Sequence, residues 1–245
     1  MKKIISLLVI VSVFGCSGNK DGKNSQTGAT ETPSSTFTPI SLNCPTGFVA
    51  VPFLAGYTTQ NFCVAKYEMK NRSGAKSEAA GVPWASINRA DAISACSAMG
   101  VGYSLMTVAQ HETVAKNIYG MARNWSDGTY NGATSGGHTD MVPFNTLEAS
   151  NDDTDACFGT GQTCSNTVWD SQRRIHFLST GEVIWDFAGN VREWASDDKN
   201  GSFALRGGSF GGQGGGDNRL WLYSWLYPST SSPSSDYGFR CVYQP

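Results

Sequence analysis

Seven cysteines constrain this 245-residue chain more than any other feature. Cys16 closes an apolar leader, and the other six stand at Cys44, Cys63, Cys96, Cys157, Cys164 and Cys241. No two of the six have C-x2-C spacing and no histidine sits near them, so a zinc-type site is disfavoured and disulfides are expected. Six thiols allow fifteen pairings, and their spacing alone does not choose among them. A chain stapled in this way belongs in an oxidising compartment.

The leader agrees with export. Lys2 and Lys3 precede an apolar run from Ile4 to Phe14 that is too short to span a bilayer as a mature helix. Val13-Phe14-Gly15-Cys16 resembles the lipobox of a bacterial lipoprotein signal. Residues 1–15 are therefore expected to be a signal peptide, with Cys16 acylated on thiol and amine and held stably at a membrane surface. Ser17 after that cysteine favours an outer-membrane lipoprotein in the cell envelope. Residues 16–42 are rich in Ser, Thr, Gly, Lys, Asn and Pro and read as a flexible tether; about 25 such residues reach on the order of 25 to 30 Å. Residues 43–245 have the size of one ordinary domain.

Removing Lys2 and Lys3 from the 18 basic side chains leaves 16 against 20 acidic ones, a formal charge near −4. Basic residues are scattered among Gly, Ser and Asn, so no nucleic-acid partner is expected. Abundant Gly and turn residues suit a loop-rich α+β domain of short strands. Phe48 to Phe53 and Phe62 to Tyr67 read as two strands, the first with an edge proline, followed by a polar loop. Ser86 or Asn88 can cap a helix with apolar positions at Ile87, Ala90, Ile93, Cys96 and Met99, stopped by Gly100. Thr107 and Gln110 have capping-box spacing and open a second helix to Gly120. His111 falls on that helix and reads as a core or rim residue. From Asn124 to Ser165 little but loop is expected, and its Asn151-Asp152-Asp153-Thr154-Asp155 cluster reads as a solvated acidic loop. Strands return at Ile175–Ser179, Glu182–Asp186, Ala204–Arg206, Trp221–Leu226 and Phe239–Tyr243.

Three motifs close the chain: Trp185-Asp186-Phe187-Ala188-Gly189-Asn190-Val191-Arg192-Glu193-Trp194, Arg206-Gly207-Gly208-Ser209-Phe210 and Gly238-Phe239-Arg240-Cys241. In this order they resemble the formylglycine-generating (sulfatase-modifying factor) domain, a branch of the C-type-lectin-like folds. That resemblance implies two helices with short irregular antiparallel strands and long loops. It also suggests that Cys96 in the first helix pairs with Cys241 in the last strand, and that Cys44 pairs with Cys63 across the first hairpin. Cys157 and Cys164 flank a short loop and read as a local staple.

The family's enzyme oxidises a substrate cysteine with copper held by two thiols, and here those positions read Gly212 and Asp217. Neither supplies a soft thiolate, so no copper is expected, although Ser209 and Arg219 match other active-site positions. A copper-dependent formylglycine-generating oxidoreductase remains the alternative function. The iron-dependent relatives need a His-x3-His-x-Glu triad, which His111, His138 and His176 cannot form. No Gly-x-Ser-x-Gly elbow supports a hydrolase. The resemblance further implies calcium held by Asp186, Gly189, Val191 and Glu193, hard oxygen ligands that suit Ca²⁺. The competing reading has Asp186 and Asn190 organising a turn while Glu193 pairs with an arginine.

Trp221, Tyr223, Trp225 and Tyr227 alternate with Leu222, Ser224 and Leu226, which in one strand would put four aromatics on one face. Such a face, with Ser209, suits a glycan or protein ligand; the same rings could instead fill a core. The chain is also similar to the surface-displayed variable proteins of diversity-generating retroelements, in which Arg-Gly-Gly-Ser and Gly-Phe-Arg bracket ligand-contacting residues. The expectation is a lipid-anchored binding module at the cell surface, with a purely structural envelope protein as the third option.

Overall fold

The computed structural model describes residues 40–130, 132–199, 201–212 and 221–245. The signal peptide, Cys16 and the tether up to residue 39 lie outside the described residues, as do Asp217, Arg219 and the side chain of Trp221.

The domain is α+β. Strands β1 (Phe48–Val51) and β2 (Phe62–Ala65) form the expected first hairpin, with Pro52 ending β1 because it has no N–H to donate. A hairpin that the sequence did not announce follows, β3 (Met69–Asn71) with β4 (Ala75–Ser77). Its strands are three residues each, too short to display a period-2 alternation. Ser73 (φ 58°) and Gly74 (φ 134°) supply the left-handed backbone that closes it.

Helix α1 (Arg89–Ser97) starts at Asn88, not Ser86: the Asn88 side chain accepts the Asp91 N–H at 2.9 Å. It buries Ala92 and Cys96 and stops two residues before the expected Met99. After β5 (Tyr103–Leu105), α2 (Val108–Tyr119) opens with the capping box: the Gln110 N–H donates to Thr107 Oγ1 at 3.0 Å and the Thr107 N–H to Gln110 Oε1 at 2.9 Å. Its buried face carries His111, Val114, Ala115 and Ile118. A 3-10 turn at Ala122–Asn124 leads into the long region where, among the described residues, only isolated bridges occur before residue 175.

The remaining strands are β6 (Ile175–Phe177), β7 (Val183–Trp185), β8 (Arg192–Trp194), β9 (Leu205–Arg206), β10 (Trp225–Leu226), β11 (Tyr237–Phe239) and β12 (Cys241–Tyr243). One antiparallel sheet has the order β1-β2-β12-β5, so the last strand pairs with the first hairpin. The second has the order β10-β9-β8-β11, with β11 parallel to β8. The expected strand Phe239–Tyr243 breaks at Arg240, and its halves join different sheets. The expected strand Trp221–Leu226 is a correction: Trp221–Tyr223 is a 3-10 turn and only Trp225–Leu226 pairs, with β9.

All three suggested disulfides are present. Cys44–Cys63, Cys96–Cys241 and Cys157–Cys164 have Cα separations of 5.6, 5.5 and 5.4 Å. Cys96–Cys241 bridges 145 positions and ties α1 to β12; in the chain-entropy account such a closure stabilises by roughly 4 to 5 kcal/mol. Between α2 and the first sheet lies a core of Val49, Phe62, Val64, Val114, Ile118, Phe187, Leu222 and Val242, while Ala92 and Cys96 of α1 pack in a second cluster with Phe48, Leu105, Trp194 and Phe239.

Candidate functional site

The turn between β7 and β8 brings together the residues that the resemblance assigns to calcium. Asp186, Gly189 and Asn190 have φ of 51°, 86° and 58°. Only glycine fits at Gly189, where a Cβ would sit 2.6 Å from the Gly136 carbonyl oxygen. Asp186 is 3% exposed, and both its oxygens accept from Arg174, Nε to Oδ1 and Nη2 to Oδ2, each at 2.7 Å. Arg174 Nη1 also donates to the Glu148 and Phe158 carbonyls, at 2.8 and 2.5 Å. Glu193, equally buried, accepts from Arg240 Nε at 2.8 Å. Arg240 further donates to the carbonyls of Ala65, Trp185 and Asp186, at 2.8, 2.9 and 3.2 Å.

Two more buried ionisable groups complete this cluster. Glu68 accepts the Val191 N–H at 3.0 Å and the Asn190 side-chain amide at 2.6 Å, while Asn190 Oδ1 accepts the Leu147 N–H at 2.8 Å. Burial, and then the field of Asp186, pushes the Glu68 carboxyl well above the usual carboxylate range against the pull of Lys70 and Arg240. Burial raises Glu193 too, with Arg240 opposing. Lys70 is drawn down to about 8 by burial, with Glu68 opposing.

A calcium ion does not fit these residues. Ca²⁺ needs six to eight oxygens, yet both Asp186 oxygens and one Glu193 oxygen already accept from guanidinium groups. A divalent ion at Asp186 would stand against the positive charge of Arg174. Of the set Asp186, Gly189, Val191 and Glu193, the two carboxylates thus stand in the turn-and-ion-pair arrangement. Two arginines engage the two carboxylates that an ion would otherwise use. Glu68, Lys70 and Arg174 escaped the sequence reading because single ionisable residues in short strands carry no spacing that marks them as buried.

Ser209 is fully buried. Its Oγ donates to Asp236 Oδ2 at 2.8 Å and accepts from Arg192 Nη1 at 2.7 Å. Arg192 also pairs with Asp236 at 2.5 Å and donates to the Gly212 carbonyl at 3.0 Å. Ser209, expected beside the ligand face, thus lies buried and locks the loop after β9. Gly212 has φ 122° and no side chain to offer a metal, so the copper pair lacks one of its two thiolates here. The acidic cluster is partly structural as well: Asp153 accepts from Lys66 Nζ at 2.8 Å and from Trp185 Nε1 at 2.7 Å.

The aromatic run divides by environment. Tyr223 is half-buried and meets Tyr119 edge-on at 5.9 Å, and burial raises its phenol. Trp225 is 41% exposed and stacks on Tyr227, with ring centroids 4.6 Å apart and planes 23° from parallel. Tyr227 in turn packs on Val108, Ala195 and Ala204. Beside it opens a cleft of about 480 Å³ lined by Tyr57, Val108, Ala109, Glu112, Asp197 and Asp198. Arg206, opposite Trp225 in the sheet, pairs with Glu112. Asp197 Oδ1 accepts the Val108 N–H at 2.6 Å, and Asp198 pairs with Arg89 at 2.7 Å. A larger hollow of about 750 Å³ lies over the Cys157–Cys164 loop. The approach of Asp170 to those two sulfurs makes no metal site, because they are bonded to each other.

No family model matches the chain, and no curated protein matches it. Among solved structures, the chain is similar to Treponema denticola variable protein 1 at 17% identity, over 81% of this chain and 92% of that one, with a TM-score of 0.42. It is similar to CarF at 17% identity, over 82% and 99%, with a TM-score of 0.44. To PvdO from Pseudomonas aeruginosa the identity is 12%, over 81% and 92%, with a TM-score of 0.38.

Proposed function

We propose that this domain is a recognition module, lipid-anchored through Cys16 on the cell envelope, that binds a glycan on the face formed by Trp225 and Tyr227. The observation that carries the reading is the open Trp225 ring, stacked on a tyrosine that packs on Val108, a residue that also lines a cleft with the three carboxylates Glu112, Asp197 and Asp198. A flat indole offers a sugar ring a large apolar surface at little entropic cost. The second carboxylate oxygens of Glu112 and Asp197, beyond those that accept from Arg206 and the Val108 N–H, supply acceptors for sugar hydroxyls. The motif residues do not compete for this role, since Asp186, Glu193 and Ser209 are buried inside the fold.

A glycan array probed with the full domain tests this. The wild-type protein is expected to pick out a neutral or amino-sugar glycan, and Trp225→Ala, folded by circular dichroism, to lose at least tenfold of that signal. An array signal that survives Trp225→Ala sinks the reading. Formylglycine produced from a cysteine-containing sulfatase-motif peptide with copper and oxygen would restore the oxidoreductase alternative.

A further inference from the structure

Arg173 and Arg174 are neighbours with opposite environments. Side chains alternate along an extended segment, so Arg174 turns toward Asp186 while Arg173 reaches the other side, over Phe177. There Arg173 is 1% exposed. Its Nη2 donates to the Arg123 carbonyl at 3.0 Å, and its Nε is buried with no partner among the described residues. Arg123 is exposed and lies on the same Phe177 ring, its guanidinium carbon 3.3 Å from the centroid against 5.3 Å for Arg173. Neither arginine makes an ion pair with another described residue.

A buried guanidinium is ordinarily paired with an anion, because desolvating it alone is costly. Here the two cations reinforce each other. Burial and then Arg123 bring Arg173 down to about 10, with Asp170 only partly offsetting them. His176, fully buried next along the strand, is held down to about 3 by burial and then by Arg173. Asp170 Oδ1 accepts the Gln172 N–H at 2.7 Å, and no ion pair joins this carboxylate to Arg173.

We propose that Arg123 and Arg173 form a binding site for a single oxyanion, the sulfate, phosphate or carboxylate of a ligand that enters from the exposed Arg123 side. The planar guanidinium fork matches two oxygens of such a group, and the aromatic ring holds both forks in place. The site is independent of the Trp225 face.

Calorimetric titration of the intact domain with inorganic sulfate, inorganic phosphate and galactose 6-sulfate, at fixed ionic strength in chloride, tests it. At least one of the three is expected to bind, with Arg123→Ala and Arg173→Lys each weakening it tenfold or more. Tighter binding of the sugar sulfate than of free sulfate would assign the anion to an acidic glycan, and tighter binding of a free ion would assign it to solution. Arg123→Ala is a surface change that keeps the domain folded even if Arg173→Lys does not. No binding by any of the three, or binding that Arg123→Ala leaves intact, overturns the site.

Discussion

The segments 186–193 and 221–227 both resemble ligand sites in the sequence, one for a metal ion and one for a glycan, yet the fold treats them oppositely. In the first, Asp186 and Glu193 are 3% and 2% exposed and meet Arg174 and Arg240 at hydrogen-bond distance. In the second, Trp225 is 41% exposed and touches a ring that itself packs on the core. The difference teaches that a motif rich in ligand-type side chains marks a site only if those side chains lack partners in the fold. Carboxylates answered by arginines build the scaffold. An aromatic side chain left half open, on a rigid support, remains available to a ligand.

Breaking the scaffold side should have the largest effect. Arg240→Met leaves Glu193 buried without its counter-ion and removes donors from three carbonyls, so a loss of about 3 to 5 kcal/mol is expected in denaturant unfolding. A loss below about 1 kcal/mol would mean that the pair is not desolvated as described.

A smaller effect sharpens the same contrast through pH. His111 and His176 are both buried and held below the ordinary histidine value, by burial first and then by arginines, Arg206 for His111 and Arg173 for His176. The unfolded chain takes up those protons near pH 6.5, before the folded one does. Stability should therefore fall as pH drops from about 6.5 toward about 3 for His176, by about 1.4 kcal/mol per pH unit for each histidine. His111 stacks on Phe187 at 4.5 Å and has no partner for either ring nitrogen among the described residues. His111→Phe should keep the stacking and make the pH dependence shallower by one proton; an unchanged slope would contradict its buried neutral state.

The smallest expected effect is none at all. A calcium site occupied at a hundred times its dissociation constant would stabilise the fold by about 2.7 kcal/mol. With Arg174 and Arg240 in place of the ion, calcium and a chelator should give the same melting temperature. A calcium-dependent rise would return the ion to Asp186.

Much of the scaffold was legible from local rules. The capping box at Thr107, the Asn88 cap and the β1–β2 hairpin follow from propensity and period, and the disulfide from α1 to β12 followed from the family resemblance. The β3–β4 hairpin was not legible, because Lys70 is 2% exposed where its sequence surroundings are polar. The break of the last strand at Arg240 and the 3-10 turn at Trp221–Tyr223 were hidden for a related reason. The halves around Arg240 join different sheets and Trp221–Tyr223 joins none, while period-2 alternation reads the same in all three cases. For the candidate site, the sequence pointed to Trp225 and Tyr227 but also to Ser209 and the Asp186 turn, and only the positions of Arg174, Arg192 and Arg240 separate the two groups.

The most direct test of this separation compares Trp225→Ala with Ser209→Ala for both melting temperature and affinity toward the glycan that the array identifies. The account predicts that Trp225→Ala melts near the wild-type temperature and binds at least tenfold more weakly. Ser209→Ala should lose about 1 to 3 kcal/mol of stability as Asp236 and Arg192 lose their shared hydroxyl, and keep its affinity. Loss of affinity in Ser209→Ala with Trp225→Ala binding like the wild type would contradict it.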